Sequence, residues 1–424
     1  MPDVLYVHPR VGWVYENIPM GITGLMNSLN CSKFGVYDWE VTEEMIAKAK
    51  IIAMDLHWYL GIPSFLKLVK KIRKINPSCK IVCGGITATV FSKTISNFVD
   101  YIVIGDAEKP FPMLVEAILE KRNISNIPNI VSKELCTEHK YFLTQEDYDN
   151  QNYIDIDWFP TIKKLMKKVH NMAYPFSFFP WISVFKGCIY SCERCYGNPE
   201  WCQKVFKRGM VIRSAERVAF DLDEYEKMGL KRIYCCHDFI NVLGVNYTKK
   251  VFNKKRRLEI NYEFLKIPEP SLFDMLINSF ERADIFINIR SPHGGGNDYA
   301  NLKDLEGLLK IKSENIRFFF FVPIQKNEKD FVKNLIKLKL KYKFYVLSGE
   351  EWLPEAIPNP FEEEEKEFIR VIKKIKHDPY GEKYKTFATL VRKISESNLL
   401  LRTSLSLYSI INMVKLIKNS FLHL

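Results

Sequence analysis

Short apolar runs alternate with amphipathic stretches along the first third of the chain. The runs fall at residues 4–8, 51–57, 80–86 and 99–105, each of a length that suits a buried strand. Between the second and third, residues 63–75 set Phe65, Leu66, Leu68, Val69 and Ile72 at the i, i+3, i+4 spacing of a helix with one apolar stripe. Strand, helix, strand in this order predicts a doubly wound, flavodoxin- or Rossmann-like parallel sheet over residues 1–125. From 126 to 178 the period fades and prolines recur at Pro128, Pro160 and Pro175, so this stretch is expected to be a linker. A second alternation follows, with apolar runs at 182–185, 232–236, 258–264, 285–289, 316–322 and 344–347 and helical patterns at 214–228, 271–282 and 330–341. Six strand-plus-helix units predict a partial (β/α)6 barrel over 179–350. The remainder, 351–424, reads as a helical extension. Its stretch 361–376 opens with Glu362, Glu363, Glu364 and Glu365 and closes on Lys373, Lys374 and Lys376, the order a helix dipole favours. The apolar end at 398–424 is broken by Arg402, Lys415 and Lys418 and reads as a docking helix, with contact to a membrane surface as the alternative. The fold class is α/β.

Composition narrows the function classes. Of 424 residues 47% are hydrophobic and 26% charged, enough to fill a core and too apolar for long disorder. No run reaches the roughly 18 apolar residues of a transmembrane segment, and Met1-Pro2-Asp3-Val4 lacks the layout of a signal peptide, so a cytoplasmic protein is expected. Sixty-two Lys and Arg against 50 Asp and Glu give a net charge of +12. The lysines spread over helical stretches such as 67–74 and 333–341, a pattern of solvated faces more than of a phosphate track, and no nucleic-acid partner is expected. Ten cysteines are too sparse for a disulfide scaffold, and in a reducing compartment clustered cysteines point to a metal or to catalysis.

They cluster at Cys188, Cys192 and Cys195, a C-x-x-x-C-x-x-C spacing after Lys186-Gly187, at the end of the first strand of the second alternation. Three soft thiolates on one loop can wrap one metal centre, and three ligands on a four-iron cluster leave one iron open. A zinc knuckle and plain buried cysteines are the other readings. Cys235 and Cys236 are adjacent, so at most one faces inward from a strand, and both read as core.

This motif resembles that of the radical S-adenosylmethionine (radical SAM) superfamily, with Arg194 where that family usually has an aromatic residue. The resemblance implies a [4Fe-4S] cluster on Cys188, Cys192 and Cys195, with the open iron chelated by S-adenosyl-L-methionine. Its reductive cleavage to a 5′-deoxyadenosyl radical is implied too, with an external reducing electron donor. Matching positions imply SAM contacts at Tyr196, Gly197, Asn198, Asp238, Glu263, Arg290 and Ser291; His293 stands where relatives often carry Glu. Arg213-Ser214-Ala215-Glu216 reads first as a helix N-cap.

In the first domain, residues 80–89 end a strand in Gly84-Gly85, and residues 99–108 end the next in Gly105-Asp106-Ala107-Glu108. Glycines at strand ends are expected to clear room for a bulky, nucleotide-like group. The segment resembles the cobalamin-binding domain of many radical SAM proteins, most of all uncharacterised archaeal members with an Asp-Leu-His-Trp-Tyr segment like residues 55–59. The resemblance implies cobalamin contacts at Asp55, His57, Gly84, Gly85, Thr87, Gly105 and Glu108. Cobalamin proteins of the methionine-synthase type supply an axial imidazole from Asp-x-His-x-x-Gly. Here the spacing from His57 to Gly61 is one residue too long, and His8, better placed after the first strand, lacks the Asp; no protein imidazole on cobalt is expected.

The leading expectation is therefore a cobalamin-dependent radical SAM enzyme, a C-methyltransferase or a catalyst of another modification at an unactivated carbon. One alternative keeps the radical SAM chemistry with a first domain that binds no cobalamin. Another is a non-enzymatic, zinc-containing nucleic-acid-binding protein. The aromatic, basic chain would suit an acidic or lipid-like small substrate.

Overall fold

The computed structural model describes residues 2–9, 20–169, 180–191, 197–236, 238–267, 269–288, 302–311, 314–323, 329–349 and 363–376. The chain divides into two compact units. Unit 1 comprises Met1–Leu165, Pro199–Ile212 and Pro358–Leu390, and unit 2 comprises Met166–Asn198, Arg213–Ile357 and Val391–Leu424.

Unit 1 is built on a six-stranded sheet, β1 (Val4–His8), β2 (Lys33–Tyr37), β3 (Ile51–Asp55), β4 (Lys80–Gly84), β5 (Tyr101–Val103) and β6 (Ile130–Val131), in the order β2-β1-β3-β4-β5-β6. The first five strands pair in parallel and β6 runs antiparallel to β5. The helix Ile62–Ile75 follows β3, with Pro63 in its first turn and Arg73 and Lys74 in its last. It buries Ile62, Phe65, Leu68, Val69 and Ile72, a stripe in which each side chain contributes roughly 1.5–3 kcal/mol.

Two features of unit 1 depart from the sequence pattern. Strand β2 has no clear apolar run, because Gly35 sits at its centre; a Cβ there would lie 2.7 Å from the Trp158 ring, and Gly35 N donates to Trp158 O at 2.6 Å. Trp158 and Phe159 also meet Tyr6 edge-on, with centroids 5.8 and 6.1 Å away. Part of the stretch expected as a linker, 126–178, is thus built into unit 1, through β6 and this aromatic pair. Its partners lie on distant strands, so no local period announces it.

Two short strands follow, β7 (Phe185–Lys186) in unit 2 and β8 (Val211–Ile212) in unit 1. The main sheet of unit 2 contains β9 (Arg232–Cys235), β10 (Arg256–Phe264), β11 (Phe280–Asn288), β12 (Ile316–Pro323) and β13 (Tyr345–Gly349), all parallel, in the order β13-β12-β11-β10-β9. Beside β9, Trp181 forms a parallel bridge to Tyr234, with Ile182 N donating to Tyr234 O and Tyr234 N to Pro180 O. The expected helical stretch 271–282 stops at Ser279, and 280–282 join β11, where Arg282 pairs with Glu259 of β10. Ser214 caps the helix Ala215–Lys227 by accepting from Arg217 N, as its position before Ala215 and Glu216 suggested.

On β10 the residues alternate between faces. Tyr262 and Phe264 pack on Phe239 and Phe273 of the flanking helices, which leaves Glu259, Asn261 and Glu263 on the opposite face. The helix Glu364–Lys376 packs in unit 1, where Phe368 meets Phe91 and Glu364 accepts from Thr94 N at 2.7 Å. Among the described residues no helix is long and apolar enough to cross a membrane. The apolar end at 398–424 lies outside them.

Candidate functional site

In unit 1, strand order reverses between β1 and β3. In an open parallel sheet the crevice beyond the strand ends at such a reversal is where ligands bind. His8 ends β1 and Asp55 ends β3, and the register Tyr6 to Ala53 brings Asp55 beside His8 on the face that Tyr6 shares. Tyr6 Oη donates to Asp55 Oδ1 in a short hydrogen bond. His8 Nδ1 lies 2.7 Å from Tyr6 Oη and 3.1 Å from Asp55 Oδ1. Burial pushes the Asp55 carboxyl up, yet the adjoining His8, the hydrogen bonds from His8 and Tyr6, and His57 together hold it below the usual range. Burial and the Asp55 charge push the Tyr6 phenol well up, so it keeps its proton.

Proton bookkeeping then fixes the histidine. Tyr6 has one proton and gives it to a carboxylate that has none, so the 2.7 Å contact requires a proton on His8 Nδ1. Nε2 is left over, and among the described residues it makes no hydrogen bond. Asp38 N, donating to His8 O at 3.0 Å, and the edge-on Tyr37 ring at 5.7 Å hold the residue on the strand end.

The glycine-rich ends of β4 and β5 are closed by protein. Leu56 N donates to Gly84 O, and Leu56 O accepts from Thr87 N and Ala88 N; Thr87 Oγ1, fully buried, donates to His57 O at 2.8 Å. Gly85 has φ +97° and a Cβ there would lie 2.8 Å from Leu56 O; Gly105 has φ +68° and a Cβ there would lie 2.6 Å from His139 Nε2. These two glycines admit a neighbouring backbone and a histidine ring, where the sequence suggested room for a ligand. Gly84 is only in ordinary contact range of Val103 O. In the following turn, buried Asp106 takes two hydrogen bonds from Arg208, at 2.6 and 2.7 Å, and one from Leu143 N, while Glu108 Oε2 accepts from Ala107 N. His57 is exposed and edge-on to Trp58.

In unit 2, Cys188 follows β7 and Gly187, whose φ is +92°. It is half-buried, with Tyr190 N donating to its Sγ at 3.4 Å. Cys192, Cys195, Tyr196, Arg290, Ser291 and His293 lie outside the described residues. Asn198 is buried and Gly197 precedes it. Asp238 caps the helix Phe239–Val251 and accepts from Asn241 N, Asn241 Nδ2, Leu265 N and Lys266 N. Burial pushes its carboxyl up to about 6 against those hydrogen bonds, since every donor is a neutral amide. Glu263 Oε2 accepts from Tyr234 Oη at 2.7 Å.

Below Glu263 on the same sheet face, Arg232 and Arg282 donate to Glu259, and Arg317 pairs with Asp284 through two bonds. Among them Asn261 is fully buried, and neither end of its amide has a hydrogen-bond partner among the described residues. Sequence reading missed Asn261 and the role of Tyr6; strand alternation offered a weak signal for both. Of the cysteine pair expected as core, Cys235 ends β9 and is fully buried, whereas Cys236 lies just past the strand and is only partly buried.

No family model matches the chain. An uncharacterized protein of Methanocaldococcus jannaschii is 23% identical over 386 residues, 84% of this chain and 79% of that protein. The hopanoid C-3 methylase of Methylococcus capsulatus is 22% identical over 186 residues, 42% of this chain and only 33% of that protein. Among solved structures, the radical S-adenosylmethionine methyltransferase TsrM from Kitasatospora setae, with cobalamin and a [4Fe-4S] cluster bound, superposes with a TM-score of 0.58 at 14% identity, covering 82% of this chain and 72% of that one. The same enzyme with tryptophan substrate and the SAM analogue aza-SAM gives 0.58 at 15% identity. Across most of its length, this chain has the α/β fold of a radical S-adenosylmethionine methyltransferase.

Proposed function

We propose that the chain is a cobalamin-dependent radical SAM enzyme that methylates, or otherwise modifies, an unactivated carbon of a small or lipid-like substrate. One observation carries this reading: the Cys188, Cys192, Cys195 spacing occurs after β7 in a chain whose fold matches a methyltransferase solved with cobalamin and a [4Fe-4S] cluster. When bound, the cluster supplies one electron to split S-adenosylmethionine and the cobalamin carries the methyl group.

The thiol loop fits the cluster, and for the corrinoid the support is the sheet reversal of unit 1, since Gly85 and Gly105 are closed by protein. Three thiols at this spacing form a cluster's donor set, and Gly187 in the left-handed region lets the chain turn sharply before Cys188. At the reversal of the unit 1 sheet, between β1 and β3, the strand ends that carry His8 and Asp55 border the crevice where a ligand of an open parallel sheet belongs. On this reading the unit 2 sheet is the partial barrel. Glu263 and Asp238 stand at its strand ends, Glu263 to meet S-adenosylmethionine and Asp238 to hold the loop of Leu265 and Lys266 in place. Gly197, Asn198, Tyr196, Arg290 and Ser291 complete the proposed contacts. A reducing electron donor is required, and thiol ligands suit the cytoplasm.

A second reading, radical SAM chemistry without cobalamin, draws support from the protein-filled space at Gly85 and Gly105. Protein purified without oxygen and supplied with cobalamin decides between them. About four irons with sulfide, absent from the Cys188/Cys192/Cys195→Ala variant, together with one corrinoid per chain, is the expected result. Iron without corrinoid would select the second reading, and zinc without iron would overturn both.

A further inference from the structure

One buried amide in unit 2 is unlike its neighbours. Asn261 sits in the middle of β10 on the face turned away from the helices, fully buried, and neither its Nδ2 nor its Oδ1 has a hydrogen-bond partner among the described residues. An amide so placed gives up its bonds to water and gains none in return, and a native interior keeps such a group only for a reason.

The register shows why its strand neighbours do not complete it. Asn261 pairs with Tyr234 of β9 on one side and with Asp284 of β11 on the other. The Tyr234 hydroxyl is turned one tier up, to Glu263, and both oxygens of Asp284 are taken by Arg317. One tier down, Arg232 and Arg282 hold Glu259. The charges of these tiers balance, three guanidiniums against Glu259, Asp284 and Glu263, so the face asks no net charge of a ligand. Above Asn261 the register aligns Glu263, Phe286, Phe319 and Tyr345 across four strands. Phe286 stacks on Phe319 with centroids 4.7 Å apart, and Phe319 on Tyr345 at 4.8 Å, which makes this tier largely an apolar wall. A mostly apolar lining with a single unmatched polar group to fix orientation is the make-up of a small-molecule site.

We infer that Asn261 is a substrate-binding residue, and that the substrate is a neutral molecule with an aromatic or otherwise apolar body and an amide-type edge, a hydrogen-bond donor beside an acceptor. Such an edge completes both ends of the Asn261 amide: its N–H donates to Oδ1 and its carbonyl accepts from Nδ2. A carboxylate would leave Oδ1 without a donor. The inference rests on the radical SAM reading above and not on cobalamin, since it takes this face as the inside of the partial barrel. Two residues of one strand, about 7 Å, separate Asn261 from Glu263, which sets the bound edge next to the proposed S-adenosylmethionine contact.

The test titrates benzamide and acetophenone, two molecules of nearly the same shape, into full-length protein purified without oxygen and loaded with iron and sulfide, with calorimetry as the readout. Benzamide carries the donor and the acceptor, acetophenone the acceptor alone. Benzamide is expected to bind about tenfold more tightly, the factor that one unmet buried hydrogen bond is worth. In Asn261→Leu, a variant expected to fold at least as stably as the unchanged chain, benzamide weakens by a similar factor and acetophenone does not, so the preference disappears. Equal affinities in the unchanged chain, a preference that survives in Asn261→Leu, or no binding of either molecule to iron-loaded protein would overturn the inference and leave the radical SAM reading standing. Benzoate that binds more tightly than benzamide would overturn it too, because the face would then select an anion. Protein that holds zinc and no iron would instead remove the reading on which the inference rests, and the inference with it.

Discussion

Asp55 and Asp238 both stand at strand ends, one in each unit, and their surroundings push them in opposite directions. Around Asp55 are a histidine and a phenol, and these donors hold the carboxyl below its usual range despite burial. Around Asp238 are only neutral amides, so burial prevails and the carboxyl rises to about 6. Geometry differs as well. Asp238 receives four hydrogen bonds from its own helix and the neighbouring loop, a closed set that binds structure together. Asp55 shares its network with Tyr6 and with His8, whose Nε2 makes no hydrogen bond among the described residues. A polar residue at a strand end is therefore a poor sign of ligand binding taken alone; what matters is whether its network ends inside the protein or on an unpaired atom.

Several substitutions would sharpen or break this contrast. The largest stability loss is expected from Arg208→Ala, which strands buried Asp106 without its two-bonded partner; roughly 3–5 kcal/mol should vanish from the denaturant-unfolding free energy. Asp238→Ala removes a helix cap and three further acceptor contacts and should cost about 2–3 kcal/mol by the same measurement. If Asp55→Ala cost as much, the distinction between closed and open networks would fail.

The pH dependence follows from the raised Asp238 carboxyl. Its folded value of about 6 lies above the ordinary 3.8, so the folded chain holds the proton more tightly. This contribution is complete below about pH 4 and is lost as pH rises through 6. Asp238→Asn should flatten that slope when unfolding free energies are compared from pH 4.5 to 7.5, and an unchanged slope would contradict the burial argument.

Gly85→Ala adds a Cβ at φ +97° against the Leu56 carbonyl, and a loss of about 2 kcal/mol is expected in thermal melts. The smallest effect is a gain. Asn261→Leu replaces a buried amide that has no partner among the described residues and should stabilise the chain by about 1 kcal/mol; a destabilised variant would show that the amide is satisfied.

Much of this molecule was legible in its residue pattern. The apolar run at 4–8 is strand β1 residue for residue, and the stripe through Phe65, Leu68, Val69 and Ile72 lies on the buried face of a helix. Such features survive because strand alternation and the helical stripe are local, repeated every two or every three to four residues. The three-cysteine spacing was equally plain, since one loop can carry a complete donor set. Strand β2 escaped because its central Gly35 exists to admit Trp158, more than a hundred residues away. The roles of Gly85 and Gly105 reversed for the same reason: the sequence shows an absent side chain, and only packing tells what fills the space.

Sequence alone thus determined the alternating elements and the thiol loop, whose physics acts between near neighbours along the chain. Tertiary structure alone decided which histidine meets a carboxylate. His8 and Asp55 become partners through the pairing of β1 with β3, and that register is set by the burial of whole strand faces, a property of the folded sheet that neither segment contains by itself.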